Sequence, residues 1–216
     1  MSFLSLRRGR QTAARPTTHK LLATVAVLGA AASIAGLGTY ATWTSTTSEN
    51  HTISSGNVTI ALGSTGAATN RLNVGASGLA PGDTVQRSVD LTNSGSIDLA
   101  SVTLTTSAPT TTSLLDTDAT NGLQMVIDKC SQAWTEAGTA PAYTYTCGGT
   151  TSSVLASRAV IGSNLSLSNL VATTPTQTDH LRVTLTLPAG APNTLQNQSS
   201  TIVYAFTGTQ RAATSK

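Results

Sequence analysis

The sequence is short of charge, of aromatic rings and of cysteine. Of its 216 residues only 10% are charged and 4% are aromatic, whereas 39% are hydrophobic, and it has two cysteines. So apolar and charge-poor a composition excludes a chain kept disordered by charge repulsion. Ser, Thr, Ala and Gly dominate in place of Glu-, Lys- and Leu-rich stretches, which argues against a helical bundle or coiled coil. The length suits one domain with a hydrophobic core.

The positive charge belongs to the first 20 residues rather than to the chain as a whole. The formal net charge is +3, but five of the twelve basic residues lie in that segment: Arg7, Arg8, Arg10, Arg15 and Lys20. All nine acidic residues lie beyond residue 48, so removal of this segment leaves seven bases against nine acids, a charge of −2. No nucleic-acid partner is expected, because no basic patch remains downstream.

The N-terminus has the order of a secretory signal peptide, and we interpret residues 1–41 as one. A basic segment precedes an uncharged run of 18 residues at 21–38, LLATVAVLGAAASIAGLG. The small residues Thr39 and Ala41 follow it, which predicts cleavage by signal peptidase after Ala41 and a secreted product with no membrane attachment. Because the length of the run is close to the membrane-spanning minimum of roughly 17–20 residues, a retained anchor is the alternative.

The only two cysteines, Cys130 and Cys147, are expected to form a disulfide. An exported chain meets an oxidising environment, where paired cysteines tend to bridge. A loop of this size contributes about 3 kcal/mol by constraining the unfolded chain. A zinc site is the alternative, but the two cysteines have no His nearby and no CxxC spacing.

Apolar residues alternate with polar ones through most of the chain after Ala41, which predicts strands with one buried face and one solvent-exposed face. The clearest series are Val58, Ile60, Leu62; Leu123, Met125, Ile127; Leu181, Val183, Leu185, Leu187; and Ile202, Tyr204, Phe206. Arg87 interrupts the apolar face of 85–91, and a phase change at Ala100 and Ser101 predicts a β-bulge. Many short strands without helical spacers predict an all-β fold, a two-sheet antiparallel sandwich of jelly-roll type.

Turn-forming residues separate these series. Residues 80–83, APGD, predict a tight turn, because Pro fixes one φ and Gly accepts a positive one. Residues 93–96, NSGS, are typical of a short hairpin connection. The stretch 107–120 is expected to be a loop, with one helical turn possible in 114–122. The segment between Cys130 and Cys147 is expected to be a stapled loop or hairpin.

Four short segments of this sequence occur together in one known family. They are GTYATW at 38–43, ISSGNVTI at 53–60, LAPGDTV at 79–85 and VDLTNSGSIDL at 89–99. Their combination resembles the TasA/camelysin family of exported bacterial proteins, whose leaders are of the SipW-dependent type. The similarity continues at 181–187 and 200–210, whereas residues 105–178 match nothing in the family.

The resemblance implies a jelly-roll domain secreted to the cell surface or biofilm matrix. It also implies that the chain is its own partner, forming fibres in which the N-terminal segment of one subunit adds a strand to the next. Residues 42–56 would then be an extended arm, 57–210 the sandwich and 211–216 a tail. We expect Trp43 and Ile53 to help dock the arm. An N-terminus that docks nowhere is the alternative.

The family resemblance also brings a second function, a cell-surface metalloendopeptidase. A zinc hydrolase needs three protein ligands and an open position for water. The sequence has no HExxH motif, and His51 and His180 stand alone, so these two and a carboxylate such as Asp179 would have to converge in the fold. We therefore expect no catalytic residue, no cofactor and no metal site, and a structural protein rather than an enzyme.

A short acidic segment, DTDATNG at 116–122, has some likeness to a calcium-binding loop. An EF-hand loop requires Gly at its sixth position and Glu at its twelfth. Here those positions hold Asn121 and Ile127. The segment is therefore interpreted as an acidic turn, with calcium binding as the alternative.

Overall fold

The structure, a computed structural model, describes residues 55–110 and 112–214. In chain order its strands are β1 (Ile60–Leu62), β2 (Thr84–Asn93), β3 (Leu99–Ser107), β4 (Gln124–Cys130), β5 (Thr135–Ala137), β6 (Thr144–Thr146), β7 (Thr151–Ala159), β8 (Gly162–Ser166), β9 (Thr178–Thr186) and β10 (Val203–Gln210). A short helix, α1 (Leu114–Thr117), follows β3, and a 3-10 turn (Asn193–Leu195) precedes β10. Within these ranges no helix has the length and hydrophobicity of a membrane span.

The strands form two main sheets that face each other. The larger sheet has the order β1-β2-β9-β4-β7, and the smaller has the order β10-β3-β8. Every pairing in both sheets is antiparallel. The predicted all-β antiparallel fold is thus confirmed, whereas its jelly-roll connectivity stays a prediction. The helical turn expected within 114–122 is present as α1.

The hydrophobic core lies between the two sheets and is built from the alternating residues. Val89 and Leu91 of β2 and Leu181 and Val183 of β9 are almost fully buried, as are Met125 and Ile127 of β4 and Val102 and Leu104 of β3. Each such side chain contributes roughly 1.5–3 kcal/mol relative to an exposed one. Gly208 lets β10 approach closely, because a Cβ there would lie 3.0 Å from Leu99 Cδ1 and 3.1 Å from Ile60 Cγ2.

The predicted bulge is present at Ala100. In the pairing of β10 with β3, Thr209 is opposite Ser101 and Gln210 is opposite Leu99, so Ala100 has no partner. The extra residue shifts the side-chain alternation by one position, which is why the apolar series changes phase at this point in the sequence.

The prediction of a hairpin connection at residues 93–96 is wrong, because the strands that this segment joins, β2 and β3, belong to different sheets. Here the chain turns from one sheet to the other around Asn93, whose side chain is fully buried. Its amide nitrogen donates to the carbonyls of Ile97 and Thr173, and its side-chain oxygen accepts from the Gly95 N–H. The same small and flexible residues that suit a hairpin also suit this corner, and the local sequence cannot separate the two.

Strand β7 is the element that the sequence does not predict. Its pairing with β4 shifts register twice, on either side of Ile127. These irregularities break the alternation in β7, where Val154 is buried and its neighbour Leu155 also packs against the core. A strand without period-two alternation gives no signal in the sequence.

Cys130 and Cys147 form the expected disulfide, with their Cα atoms 5.6 Å apart. It closes the segment that contains the small β5–β6 hairpin, whose strands pair at Thr135–Ala137 and Thr144–Thr146. The hairpin lies against the five-stranded sheet: the Tyr145 N–H donates to Gln86 Oε1, and the Trp134 indole donates to the His180 carbonyl. The expected stapled hairpin is therefore confirmed.

A buried ion pair fixes the loop that leads into β9. Asp179, whose side chain is 1% exposed, accepts a hydrogen bond from Lys129 Nζ at 2.9 Å. Its other carboxylate oxygen accepts from the backbone N–H groups of Val171 and Ala172, both at 2.8 Å. The buried Asp179 carboxylate is thus satisfied by one ammonium group and two backbone N–H groups.

Helix α1 begins with a capping box that also connects it to the chain before β10. The Ser113 hydroxyl accepts from the Leu115 N–H, and the Asp116 carboxylate accepts from the Ser113 N–H. Asp116 also accepts from the hydroxyls of Thr112 and Ser200. Burial alone would raise the pKa of Asp116, but the hydrogen bonds from Ser200, Thr112 and Ser113 outweigh it, so the pKa lies below its usual value.

We predict that Asp179→Ala lowers the free energy of unfolding by about 3 kcal/mol, because it leaves the Lys129 charge and two backbone N–H groups without their partner. Asp128→Ala is the matched control: it removes the carboxylate of the more exposed pair with Arg182 and should cost less than about 1 kcal/mol. Urea unfolding followed by circular dichroism measures both. Equal losses in the two variants would contradict the structural role of the buried pair.

We also predict that Asp116 contributes to acid sensitivity. Because its pKa is lowered in the folded state, its stabilisation is complete above the unfolded-state value of about 4 and is lost as pH falls through the folded-state pKa. Asp116→Asn should therefore be less stable at pH 7, by about 1 kcal/mol, and should lose less on acidification. Thermal melts between pH 7 and pH 2 test this, with Asp98→Asn, an exposed position, as control. An identical pH profile for Asp116→Asn and the wild type would refute it.

Candidate functional site

The first candidate site is the pair formed by His180 and Asp90 on the outer face of the five-stranded sheet. The register of β2 and β9 places these residues directly opposite each other. The His180 Nδ1 and Asp90 Oδ1 atoms are 2.7 Å apart, and both side chains are partly exposed. An imidazole next to a carboxylate is a possible start of a metal site or of an acid–base pair.

The other expected ligands do not join this pair. Asp179 precedes His180 in β9, so its side chain lies on the opposite face of the sheet, where it is bonded to Lys129. His51 lies outside the described residues. In the part of the chain that the structure covers, no three His, Cys, Asp or Glu side chains come together in a way that would hold a metal ion.

The surroundings of His180 are occupied by structural contacts. Arg182 lies over the Trp134 ring, with 4.4 Å from its Cζ to the ring centroid, and its Nη2 donates to Asp128 Oδ2 at 3.0 Å. The buried Arg182 Nε has no hydrogen-bond partner among residues 55–110 and 112–214. These contacts join the hairpin to the sheet, and they leave Asp128 engaged with Arg182 rather than free to act as a further ligand.

The acidic segment after α1 is likewise engaged with its own backbone. Asp116 caps α1, and Asp118 Oδ1 accepts from the N–H groups of Thr120 and Asn121, both at 2.9 Å. The Asn121 amide donates to the other oxygen of Asp118. These hydrogen bonds lower the pKa of Asp118, with the Asn121 N–H as the largest cause. The segment has the geometry of an acidic turn.

The second candidate site is the edge of β10. This strand pairs with β3 along its whole length, and no described strand pairs with its other side. Its sequence, VYAFTGTQ, has no charge and no proline. The outward side chains Val203, Ala205, Thr207 and Thr209 are exposed, and Tyr204 and Phe206 face the core. An open strand edge of this kind presents unpaired backbone groups to another strand.

The other sheet edges have features that discourage pairing. Strand β1 has three residues, and β8 has five, with Asn164 at a φ of 51°. Strand β7 is irregular and carries Arg158 near its end. Short, bulged or charged edges are the usual protection against unwanted strand addition. Among the strands that the structure describes, β10 is therefore the edge best suited to accept a partner.

Four of the residues singled out from the sequence cannot be located relative to this edge. Thr39 and Ala41 at the expected cleavage site, and Trp43 and Ile53 in the expected arm, all lie outside the described residues. Their roles stay predictions. Sequence analysis missed Asp90 and the open edge of β10, because both depend on which strands become neighbours in the sheets.

Comparison with known proteins places the chain in a family. The sequence model of the family described as camelysin metallo-endopeptidase matches residues 17–127, slightly more than half of the chain. The protein belongs to this family, which confirms the resemblance seen in the sequence motifs. The match runs from residue 17 into β4 and includes the turn at 80–83 and the corner at 93–96. No curated protein matches the chain.

Proposed function

We propose that this protein is a secreted structural protein of the cell surface or biofilm matrix, and that it forms fibres by strand exchange. Signal peptidase removes residues 1–41, and residues 42–54 of the predicted arm 42–56 add as a strand to the edge of β10 in the next subunit. The observation that carries the proposal is the open and uncharged edge of β10. Strand addition to such an edge supplies backbone hydrogen bonds along its length.

The composition of the arm supports this role. Residues 42–54, TWTSTTSENHTIS, are rich in Thr and Ser and contain a single acidic residue, Glu49. Threonine is β-branched and favours extended strands. The segment is longer than the eight residues of β10, so it can cover the whole edge and still connect to its own domain. Trp43 and Ile53 are the large apolar side chains at its two ends.

We predict that the secreted chain beginning at Thr42 forms fibres visible by electron microscopy, and that a chain lacking 42–54 stays monomeric. A synthetic peptide of residues 42–54 added in excess should slow assembly of the intact chain, because it competes for β10. A scrambled peptide of the same composition is the control. Monomers at high concentration with the arm intact would refute assembly itself.

The edge is tested separately with lysine substitutions. Thr207→Lys places a charge on β10, which should reduce the fibre yield at least about tenfold, since lysine on an edge strand opposes strand addition. Thr103→Lys is the matched control, because Thr103 is directly opposite Thr207 but belongs to the central strand β3. Both variants should keep the wild-type melting temperature within a few degrees. An equal reduction of the fibre yield by the two substitutions would show that the subunits do not meet at the edge of β10.

A metallo-endopeptidase is the second candidate, favoured by the description of the family. The donor set of the described residues does not fit a catalytic zinc ion, since only His180 and Asp90 lie together and Asp179 is on the other face. A peptidase site would therefore need ligands from residues outside the described part, such as His51.

We predict no chelator-sensitive cleavage of casein by the purified protein with added zinc. The assay includes His180→Ala, with the exposed Asp98→Ala as its control. Cleavage that is abolished by a chelator and by His180→Ala, but retained in Asp98→Ala, would establish the peptidase and overturn the structural assignment.

A further inference from the structure

A cavity of about 540 Å³ lies where the chain enters β10, between the loops 72–79 and 195–200. Its volume is within the range of about 300–1,000 Å³ that is typical of small-molecule sites. The polar residues 196–200 line one part of the cavity, and apolar side chains line the other part, including Leu72, Leu79, Val85, Leu187, Leu195 and Ile202. A surface of this kind favours an aliphatic group over water.

One wall of the cavity contains a buried positive charge. Arg87 is 5% exposed, although it occupies an inward position of β2 between Val85 and Val89. Its guanidinium donates to four carbonyls: those of Val74 at 2.7 Å, Gln86 at 2.6 Å, Gly75 at 2.9 Å and Pro141 at 3.1 Å. This explains how a charged residue is accommodated on an apolar face, since it bonds the 72–79 loop and the hairpin loop to the edge of β2.

The carbonyls satisfy hydrogen bonds but do not neutralise the charge. No carboxylate is bonded to Arg87 in the described structure. The charge of Glu136 acts on Arg87 from a distance, but the Glu136 carboxylate itself is bonded to Arg71 and Tyr145. A guanidinium has five N–H groups, and four hydrogen bonds are made. A buried cation without an anion is costly, and its cost falls if a ligand brings the negative charge.

A second donor lines the same cavity. Tyr204 is an inward residue of β10, and it lines the cavity together with Arg87. Burial raises the pKa of Tyr204, and Arg87 is close enough to act on it in the opposite direction. The phenol is therefore a neutral hydrogen-bond donor near the guanidinium, a combination that suits an anionic oxygen.

We propose that this cavity binds an aliphatic carboxylate, with its head group at Arg87 and Tyr204 and its chain along the leucine-lined walls. The charge of Arg87 selects an anion, and the apolar walls select a hydrocarbon chain. This function is separate from fibre formation and does not depend on it, because the cavity uses the inward side chains of β10 and strand addition uses its edge.

The test is calorimetric titration of the secreted chain with dodecanoate, below the concentration at which it forms micelles. We expect one saturable site, and binding of dodecanol at least about tenfold weaker, because the alcohol has the same chain without the charge. Acetate, which has the head group without the chain, should show no saturable binding. Dodecanol binding as tightly as dodecanoate, or no saturable binding of dodecanoate, would overturn the proposal.

Two pairs of variants locate the site. Ile202→Trp should narrow the cavity and weaken dodecanoate binding, whereas Val203→Trp, on the exposed side of β10, should not. Tyr204→Phe keeps the shape of the side chain and should weaken binding about fivefold through the lost hydrogen bond. Tyr143→Phe, which removes a hydroxyl outside the cavity, should have no effect. Unchanged binding in both Ile202→Trp and Tyr204→Phe would place the ligand elsewhere.

Discussion

The antiparallel pairing of β2 with β9 is the constraint on which the rest of the structure depends. Nine residue pairs, from Thr84 with Thr186 to Thr92 with Thr178, fix the register of the central strand of the larger sheet, β9, against its neighbour β2. This register places Val89 opposite Leu181 on the core side and Asp90 opposite His180 on the outer side. A slip by one residue would exchange the two faces, burying the charged residues and exposing the core.

The outer face of that sheet is held by a different set of interactions. The disulfide closes the segment that carries the β5–β6 hairpin, and the hairpin is joined to the sheet by polar contacts rather than by a second core. Arg71 donates to both oxygens of Glu136, and its hydrogen bond is the main reason that the pKa of Glu136 lies below its usual value. The His180–Asp90 pair belongs to this polar layer. On the same face, the His180 carbonyl accepts the hydrogen bond from the Trp134 indole that attaches the hairpin to the sheet.

A feature could be predicted from the sequence when it depends on residues that are close along the chain, and it was missed when it depends on distant segments. Alternation is a local pattern, so the strands around Val89, Ile127, Val183 and Phe206 could be located, as could the bulge at Ala100. The disulfide followed from having only two cysteines. The course of the chain after Asn93, the irregular strand β7 and the proximity of Asp90 to His180 depend on pairings between distant segments. Arg87 was visible as an exception to the pattern, but its carbonyl partners are contributed by loops that give no periodic signal.

The same long-range arrangement leaves β10 with two properties that neighbouring strands do not share. On its inner side Tyr204 and Phe206 pack toward the core, and Tyr204 also lines the cavity with Arg87. Its edge lacks the charge or the shortness that protects other edges. Because the cavity and the edge use different groups of one strand, a ligand that orders the inner side chains would also order the backbone that an incoming strand must match. A preformed edge loses less conformational freedom when a strand pairs with it. The two proposed functions are therefore physically compatible, and ligand binding in the cavity would favour strand addition at the edge.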